Sequence, residues 1–237
     1  MSTAQHEAQE RMALLPRYYA WTLRRLEPWI GRRILDVGCG IGNATGRLAG
    51  WDRLVLLDVS PSQVEGLRRR YAGVERVEVV LGDVLDPGIL RLGVGDFDTV
   101  LCLDVLEHLR DEDRALGHFR ALLAPGGHLL LKVPAHRWLF GTLDVASGHH
   151  RRYTRRDVGA LARRAGFEPV WVASMNLSGV APWWLKGRVL RRRANFSRTF
   201  SPRALRRMNR IVPLLERLDR LVPIPLGLSL VAVLRRP

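Results

Sequence analysis

The chain has 237 residues, of which 47% are hydrophobic, and its formal net charge is +15. This length and apolar fraction suit one α/β domain with a sizeable core, with or without an appended segment. No uncharged apolar run is long enough to cross a bilayer, and the polar N-terminus lacks the pattern of a signal peptide. The two cysteines, Cys39 and Cys102, lack metal-ligand spacing, so we expect reduced thiols in a cytoplasmic protein.

The positive charge is concentrated in the C-terminal third of the chain. Residues 1–150 hold 18 Lys or Arg and 19 Asp or Glu, whereas residues 151–237 hold 20 and 4. Such asymmetry indicates an anionic partner, either nucleic acid or an anionic lipid surface. An arginine-rich surface that meets only solvent is the alternative, and composition leaves both open.

The stretch Arg33–Leu48, RILDVGCGIGNATGRL, combines an apolar strand, a glycine-rich turn and a helix predicted at about Asn43–Gly50. Gly38, Gly40 and Gly42 permit positive φ and let a ligand approach the backbone closely. The free N–H groups of the following helix would point back at the turn. This arrangement is typical of α/β sheets that hold a nucleotide-like ligand.

The residues around this turn discriminate between ligand classes. A dinucleotide fingerprint needs a glycine at its sixth position, where the two frames place Asn43 and Thr45. Asp36, at the end of the strand, would repel a pyrophosphate and attract a cation. The D-x-G-x-G-x-G pattern resembles the motif that binds S-adenosylmethionine (SAM) in class I methyltransferases, and SAM carries two cationic groups but no phosphate. A glycine-rich turn without a ligand is the alternative.

Two more acidic residues follow predicted strands. The strand Arg53–Asp58 ends in Asp58, whose carboxylate is placed to accept both ribose hydroxyls. Ser60 is the predicted N-cap of the next helix, which leaves Asp58 for the ligand. Asp83 follows the strand Val77–Leu81 and is expected to accept from the adenine amine, while the next backbone N–H meets a ring nitrogen.

The fourth strand, Phe97–Leu103, runs into Asp104–Leu109, DVLEHL. The two together resemble the F-D-x-V…D-V-L-E-H-L stretch of methyltransferases related to the enzymes of ubiquinone-type O-methylation. This resemblance implies that the loop floors the SAM pocket and that His108 faces the methyl group or packs beside the adenine and acceptor. The alternatives are that Glu107 only caps or pairs with Arg110 and that His108 is a structural histidine. The predicted cofactor-binding residues are Asp36, Gly38, Cys39, Gly40, Asn43, Asp58, Val59, Gly82, Asp83, Val84, Leu103, Asp104 and His108.

Alternating helices and apolar strands through residue 175 predict a Rossmann-like, doubly wound α/β sheet. Thr154 is expected to cap the last of these helices. The resemblance implies seven strands, with the last one antiparallel and inserted between the fifth and sixth. The later elements are helices at about Asp111–Leu123 and Arg155–Ala165 and strands at His128–Val133, Glu168–Met175 and Leu228–Leu234.

The whole chain is expected to form one methyltransferase domain. Pro16 interrupts a helical pattern near the N-terminus and divides it into two helices. The expected segments are N-terminal helices (1–29), a SAM-binding core (30–175 and 227–237) and a basic helical insertion over the active-site face (176–226).

The insertion contains two features of its own. Trp183 and Trp184 precede an arginine cluster, a combination that suits a lipid headgroup interface. An amphipathic helix is predicted over Pro202–Leu221. The apolar face of this helix packs on its own sheet, on another subunit or on a membrane, and the pattern leaves these three open.

The link after the fifth strand, Pro134–Tyr153, reads PAHRWLFGTLDVASGHHRRY. It resembles the G-H-Y-R-R-Y-[TS] loop of a bacterial methyltransferase subgroup, except that His150 replaces the usual Tyr. His149 is the first candidate base and His108 the second, since an unperturbed histidine titrates near neutral pH. The alternative is a self-paired polar lid in which Asp144 bonds to an arginine. The predicted substrate-binding residues are His150, Tyr153, Asn176 and Trp183.

These motifs predict a SAM-dependent methyltransferase that uses no metal and acts on an oxygen or nitrogen of a small or lipid-linked acceptor. The tryptophan–arginine insertion favours that acceptor and peripheral contact with the anionic inner face of a membrane. The basic C-terminal third favours RNA instead, but the chain lacks a D/N-P-P-Y/F/W motif, a Pro-Cys nucleophile motif and a recognisable RNA-binding module. A non-catalytic SAM-binding subunit is the third alternative, because strand-tip acids argue only for cofactor binding.

Overall fold

The computed structural model describes residues 10–191, 201–221 and 225–237. The predicted strands are all present in it, although the fifth begins earlier than expected. The strands of the sheet are β1 Arg33–Val37, β2 Arg53–Asp58, β3 Val77–Leu81, β4 Phe97–Leu103, β5 Leu123–Pro134, β6 Glu168–Met175 and β7 Ser229–Arg235.

The strand order is β3-β2-β1-β4-β5-β7-β6. β1 pairs in parallel with β2 and β4, whereas β7 pairs antiparallel with β5 and β6. The Rossmann-like α/β fold and the place of the last strand are therefore confirmed. Because the strand order reverses beside β1, the carboxyl ends of β1 and β4 flank the crevice where such sheets bind ligands.

Most helices flank the sheet where the sequence predicts them. A short helix, Thr142–Ser147, lies in the link after β5, where the sequence predicted only a loop, and the helix predicted after the glycine turn is absent. Pro16 is the first residue of α1, and the Thr154 hydroxyl accepts the backbone N–H of Asp157 at 3.1 Å, which confirms the predicted cap of α5. A π-helical turn, Leu185–Val189, continues α6. The described α-helices include α1 Pro16–Leu26, α2 Pro61–Arg70, α3 Glu112–Leu122, α4 Thr142–Ser147, α5 Arg155–Arg164, α6 Val180–Trp184 and α7 Pro202–Leu221.

The predicted helix after the glycine turn is wrong. A short 3₁₀ turn, Thr45–Arg47, takes its place, and the chain is extended again at Leu48. Gly46 and Gly50 each weaken a helix by about 1 kcal/mol relative to alanine, and Gly50 has a φ of +71°. The Thr45 hydroxyl also donates to the buried Asp36 carboxylate. The glycine turn therefore lacks the α-helical N-terminus that the sequence analysis placed behind it.

The two faces of the sheet are buried by different helices. Neighbouring residues in one strand point to opposite faces, so Leu35 packs in a cluster with α3 and α5, and Ile34 packs in another with Trp21 of α1 and Val212 of α7. The N-terminal helix and the long helix of the insertion thus cover the same face.

Helix α7 packs on its own chain through α1. The backbone N–H of Arg17 donates to Asn209 at 2.9 Å, and Arg24 forms an ion pair with the buried Glu216. This packing answers the question left open by the amphipathic pattern. Part of the helix remains exposed, including Leu214 and Leu218. Within the described ranges, no helix is both long and apolar enough to cross a membrane.

Candidate active site

The glycine turn has the left-handed backbone that its sequence predicts. Gly38, Gly40 and Gly42 have φ values of +64°, +59° and +79°. The Gly38 N–H donates to the Leu57 carbonyl at 2.7 Å, which ties the turn to β2. A Cβ at Gly38 would lie 2.4 Å from a methyl carbon of Val105, so only glycine fits this position.

Asp36 lies beneath the turn rather than on its surface. Its carboxyl is buried and accepts the Thr45 hydroxyl. Burial raises the pKa of Asp36 to about 7, and the nearby Asp58 acts in the same direction. The free protein therefore carries a carboxyl here that changes charge near neutral pH.

Asp36 makes the stability of the free protein depend on pH. The folded chain holds this proton more tightly than the unfolded chain, because the pKa of Asp36 rises from 3.8 to about 7. Its stabilising contribution is full below about pH 4, falls as the pH rises and is lost above about pH 7. We expect the difference in free energy of unfolding between wild type and Asp36→Asn to decline across this window. Urea unfolding at a series of pH values measures it, and a constant difference would contradict the assignment.

Ser60 is the N-cap residue of α2 and Pro61 follows it, as predicted. The Ser60 side chain makes no capping hydrogen bond, however, and the Asp58 carboxylate accepts the backbone N–H of Ser60 and of Gly40, each at 2.9 Å. An acidic side chain at this point readily accepts the N–H two residues on, because the short stem favours that turn. Asp58 therefore braces the glycine turn in this structure and is largely buried.

The remaining predicted cofactor residues lie around the carboxyl ends of β1 to β4. Asp83 is exposed and accepts the backbone N–H of Leu85 at 2.9 Å, and the Asn43 amide reaches the Tyr19 hydroxyl at 3.5 Å. Because β3, β2, β1 and β4 are neighbours in that order, all of these loops share one edge of the sheet. This edge also holds exposed Val59, half-buried Cys39, Gly82 and Leu103, buried Val84, and Asp104.

A cavity of about 300 Å³ lies beside this edge. It is enclosed by the N-terminal segment, the loop after β5 and the insertion, which are far apart in the sequence. Its apolar wall includes Leu15, Trp21, Leu143, Trp183, Val212 and Leu215. Its polar lining includes Asp104, Glu107, Lys132, His149, Arg152 and Asn176.

An ion pair between a buried lysine and an exposed aspartate lines the cavity between β4 and β5. The Lys132 ammonium pairs with the Asp104 carboxylate and lies 5.0 Å from the centre of the Tyr18 ring. Burial disfavours the ammonium, but the Asp104 charge outweighs it and raises the pKa of Lys132. Asp104 has a φ of +57°, a conformation that is uncommon outside glycine and clusters at functional sites.

His149 is held in one orientation at the cavity wall. Its Nδ1 lies 3.0 Å from Asp144 Oδ1, and its Nε2 lies 3.9 Å from Glu107 Oε1. Burial alone would raise the pKa of Asp144, but hydrogen bonding to His149 and the charge of Arg152 outweigh it and lower that pKa. An ionised Asp144 only accepts, so Nδ1 carries the proton and Nε2 keeps its lone pair.

Asp144 joins the loop after β5 to the insertion. Its fully buried carboxylate accepts the backbone N–H of Gly141 at 2.9 Å, Arg152 Nε at 2.7 Å and the Trp183 indole N–H at 3.2 Å, besides His149. The sequence left two alternatives for this loop, a self-paired loop and a candidate base. One arrangement contains both, since Asp144 bonds to both an arginine and a histidine.

The structure does not show the pairing of Glu107 with Arg110 that the sequence left as an alternative. Glu107 is fully buried beside His149, whereas Arg110 is exposed. Burial raises the pKa of Glu107 to about 7, and its Oε2 has no hydrogen-bond partner among the described atoms. Sequence analysis missed this residue, although an acid in the middle of an apolar DVLEHL run was a signal of a buried carboxyl.

The second candidate base, His108, lies in ring contact with His149. The His108 ring stands edge-on to His149 with 4.9 Å between ring centres, and its Nδ1 lies 3.2 Å from the Gly148 carbonyl. Burial lowers the pKa of His108. One donor atom from each of Glu107, His108 and His149 lies within 4.8 Å of the others, a spacing that a metal ion can bridge and that the sequence analysis did not predict.

Two of the four predicted substrate residues do not reach the cavity. The Tyr153 hydroxyl donates to Glu112 at 2.8 Å on the opposite side, and His150 is exposed. Tyr153 bridges to the end of β5, and neighbouring side chains in such an extended segment alternate. Arg152 therefore faces the cavity while Tyr153 faces away. Asn176 and Trp183 line the cavity, and their role in substrate binding stays a prediction.

Comparison with known proteins identifies the family. A family model described as a methyltransferase domain matches residues 4–172. The chain is 36% identical over 162 residues to the O-methyltransferase cnsE of Penicillium expansum, covering 66% of this chain and 52% of that protein. It is 29% identical over 193 residues to the ubiquinone biosynthesis O-methyltransferase of Xanthomonas axonopodis pv. citri, covering 75% of this chain and 78% of that protein. The chain spans about half the length of several curated relatives, including 42% of a Streptomyces fradiae protein.

Solved structures share the fold at low sequence identity. A SAM-dependent methyltransferase from Archaeoglobus fulgidus has a TM-score of 0.59 at 17% identity, covering 92% of this chain and 93% of its own. Phosphoethanolamine N-methyltransferase 2 of Haemonchus contortus, in complex with SAM, has a TM-score of 0.60 at 20% identity, covering 93% and 52%. The resemblance predicted from the glycine turn and the DVLEHL stretch is confirmed, while the subgroup suggested by the loop Pro134–Tyr153 stays a prediction. The chain belongs to the methyltransferase domain family.

Proposed function

We propose that this protein transfers the methyl group of SAM to a hydroxyl oxygen of a small acceptor bound in the cavity. The observation that carries the proposal is His149, an imidazole fixed by a buried carboxylate, with Nε2 as its free basic nitrogen. A nitrogen acceptor is the alternative left by the sequence. Oxygen is favoured because a hydroxyl needs a base to become a good nucleophile.

The carboxyl edge of the sheet fits SAM in its chemistry. When bound, SAM would supply a methyl group on a positively charged sulfur, and the sulfur would keep the electron pair of the broken bond and leave as S-adenosyl-L-homocysteine. The edge offers left-handed glycine backbone at Gly38 and Gly40 for close approach, and acidic groups at Asp36, Asp58 and Asp83. Carboxylates complement a sulfonium, an ammonium and ribose hydroxyls, whereas they would repel a pyrophosphate. These residues are the ones we assign to hold the cofactor.

The residues around the cavity would provide a general base, orient the acceptor and exclude water. His149 Nε2 takes the hydroxyl proton of the acceptor, and Asp144 keeps Nδ1 protonated and stabilises the imidazolium that results. The apolar wall keeps water from the reacting oxygen, and the fixed cavity aligns that oxygen with the methyl group.

The cavity favours a neutral acceptor with an apolar body. Two buried cations line it, Lys132 and Arg152, and each is already paired with a carboxylate, Asp104 and Asp144. A phosphorylated acceptor would have to compete for these pairs. The apolar wall suits a phenol or an isoprenoid-like alcohol instead. This choice places the acceptor in the small-molecule or lipid-linked class and disfavours an RNA base.

Transfer of a labelled methyl group from SAM tests the proposal. We expect label in neutral phenols and long-chain alcohols, little in their phosphate monoesters and none in bulk tRNA. Transfer should persist in EDTA, because no step of the proposal needs a metal ion. Labelling of tRNA alone would contradict the acceptor class. Loss in EDTA with recovery on adding a divalent metal would contradict the base role of His149, because its ring would then be a ligand.

A further inference from the structure

The segment from Val180 to Leu190 has one face anchored to the domain. Trp183 donates to Asp144, the Thr142 hydroxyl donates to the Gly187 carbonyl at 3.1 Å, and Arg188 donates to the Phe140 carbonyl at 3.1 Å. Gly187 is buried against Leu143. The position of this segment is therefore fixed by contacts along its length.

The opposite face of the segment is apolar and exposed. Four large side chains within seven residues, which we call the docking face, are Trp184, Leu185, Val189 and Leu190, with 45%, 45%, 51% and 53% of their surfaces exposed. Single exposed apolar residues are ordinary, whereas a contiguous group marks an interaction surface.

The surroundings of the docking face are positively charged. Lys186, Arg188 and Arg191 alternate with its apolar residues, and residues 180–191 contain no acid. The surplus continues over residues 151–237, which hold 20 Lys or Arg and 4 Asp or Glu. Tryptophan and leucine set among basic residues are the composition of segments that lie in the headgroup layer of anionic membranes.

We propose that the docking face binds the surface of an anionic lipid bilayer. The apolar side chains enter the headgroup boundary, and exposed basic residues at its edge, such as Arg191, meet the anionic headgroups. Pro182, Trp183 and Lys186 of the same segment line the cavity, so docking would place the cavity wall beside the membrane. An apolar acceptor could then pass from the bilayer to the site. The docking itself does not depend on the proposed function.

Sedimentation with vesicles tests the proposal. We expect the full chain to sediment with phosphatidylcholine vesicles that contain phosphatidylglycerol, to stay free with pure phosphatidylcholine, and to be released at high salt. Trp184→Ser combined with Leu190→Ser should lower the partition coefficient at least about tenfold. The matched control is Val94→Ser, because Val94 is 66% exposed but lies between β3 and β4.

Three outcomes would overturn the proposal. They are equal binding to both vesicle types, equal loss in the double variant and the Val94 control, and retention on bulk RNA with no vesicle binding. The thermal unfolding midpoint of each variant should match the wild type, because all the substituted residues are exposed. If the double variant unfolds early, Trp184→Ser alone decides the question, since the Trp184 ring is exposed.

Discussion

Replacing His149 by alanine is expected to lower the rate constant of methyl transfer by about 10²- to 10⁴-fold, the usual contribution of a general base. The affinity for SAM should remain nearly unchanged, because His149 lies at the cavity wall and not at the glycine turn. Single-turnover transfer of labelled methyl groups gives the rate, and calorimetry gives the affinity. The two readouts together separate a lost base from a lost cofactor site.

The neighbouring histidine provides a matched control for this substitution. His150 has the same side chain and adjoins His149 in sequence, but it is exposed and does not line the cavity. His150→Ala should therefore transfer methyl groups at close to the wild-type rate. Equal losses in the two variants would show that the loop and not the base is responsible. Loss of SAM affinity in His149→Ala would show that this histidine contributes to the cofactor site.

The substitution Asp144→Asn is expected to destabilise the protein by about 3–5 kcal/mol, the range for breaking a buried ion pair from one side. Arg152 is itself buried and would keep its charge without the carboxylate. The same change removes the anionic partner of His149 Nδ1, so transfer should also fall. Urea unfolding measures the stability, and transfer assays on the folded variant measure the activity.

An exposed ion pair serves as the comparison for Asp144. Glu168 and Arg235 pair at the end of the sheet with about half of each side chain exposed, so Glu168→Gln should cost at most about 1 kcal/mol. The pKa of Asp144 is lowered on folding. Its contribution is therefore present above pH 3.8 and is lost as the pH falls through the folded-state value. Similar losses in both variants at pH 7 would contradict the proposed importance of the buried pair.

Much of the fold was predictable because its signals are local. Continuous apolar runs such as RLVLLD mark strands that are buried on both faces. The left-handed glycines at positions 38, 40 and 42 were also predictable, since glycine is the residue that adopts that backbone without strain. The place of the last strand came only from the resemblance to a family, because nothing in its own sequence sets its neighbours.

The helix predicted after the glycine turn is absent because local residue preferences and a side-chain hydrogen bond oppose it. Glycines at 46 and 50 lower helix propensity, and Thr45 bonds to Asp36 across the turn. Ser60 is the N-cap residue as predicted, but its hydroxyl makes no capping hydrogen bond, and its backbone N–H donates to Asp58. Both differences concern hydrogen bonds between residues that the sequence alone does not pair.

The cavity was the least predictable part of the molecule. Its wall is formed by the N-terminal segment, the loop after β5 and two helices of the insertion. A local hydrophobic periodicity cannot predict that such distant segments contact one another. Lys132 was the signal that sequence reasoning passed over, since a lysine inside the apolar run HLLLKV needs a buried partner. The direction of the Tyr153 side chain depends on a bridge to β5, and the sequence does not show that bridge. The sequence therefore could not show that Tyr153 faces away from the cavity.

Calorimetric titration with SAM and, separately, with NAD tests whether the acidic edge of the sheet holds the methyl donor. The acidic edge of the sheet predicts one SAM bound per chain and no heat with NAD, because Asp36 disfavours a pyrophosphate and the turn lacks the sixth-position glycine of a dinucleotide motif. Asp58→Ala should weaken SAM binding, since the turn loses the carboxylate that holds Gly40 and Ser60. Heat with NAD and none with SAM would contradict the account.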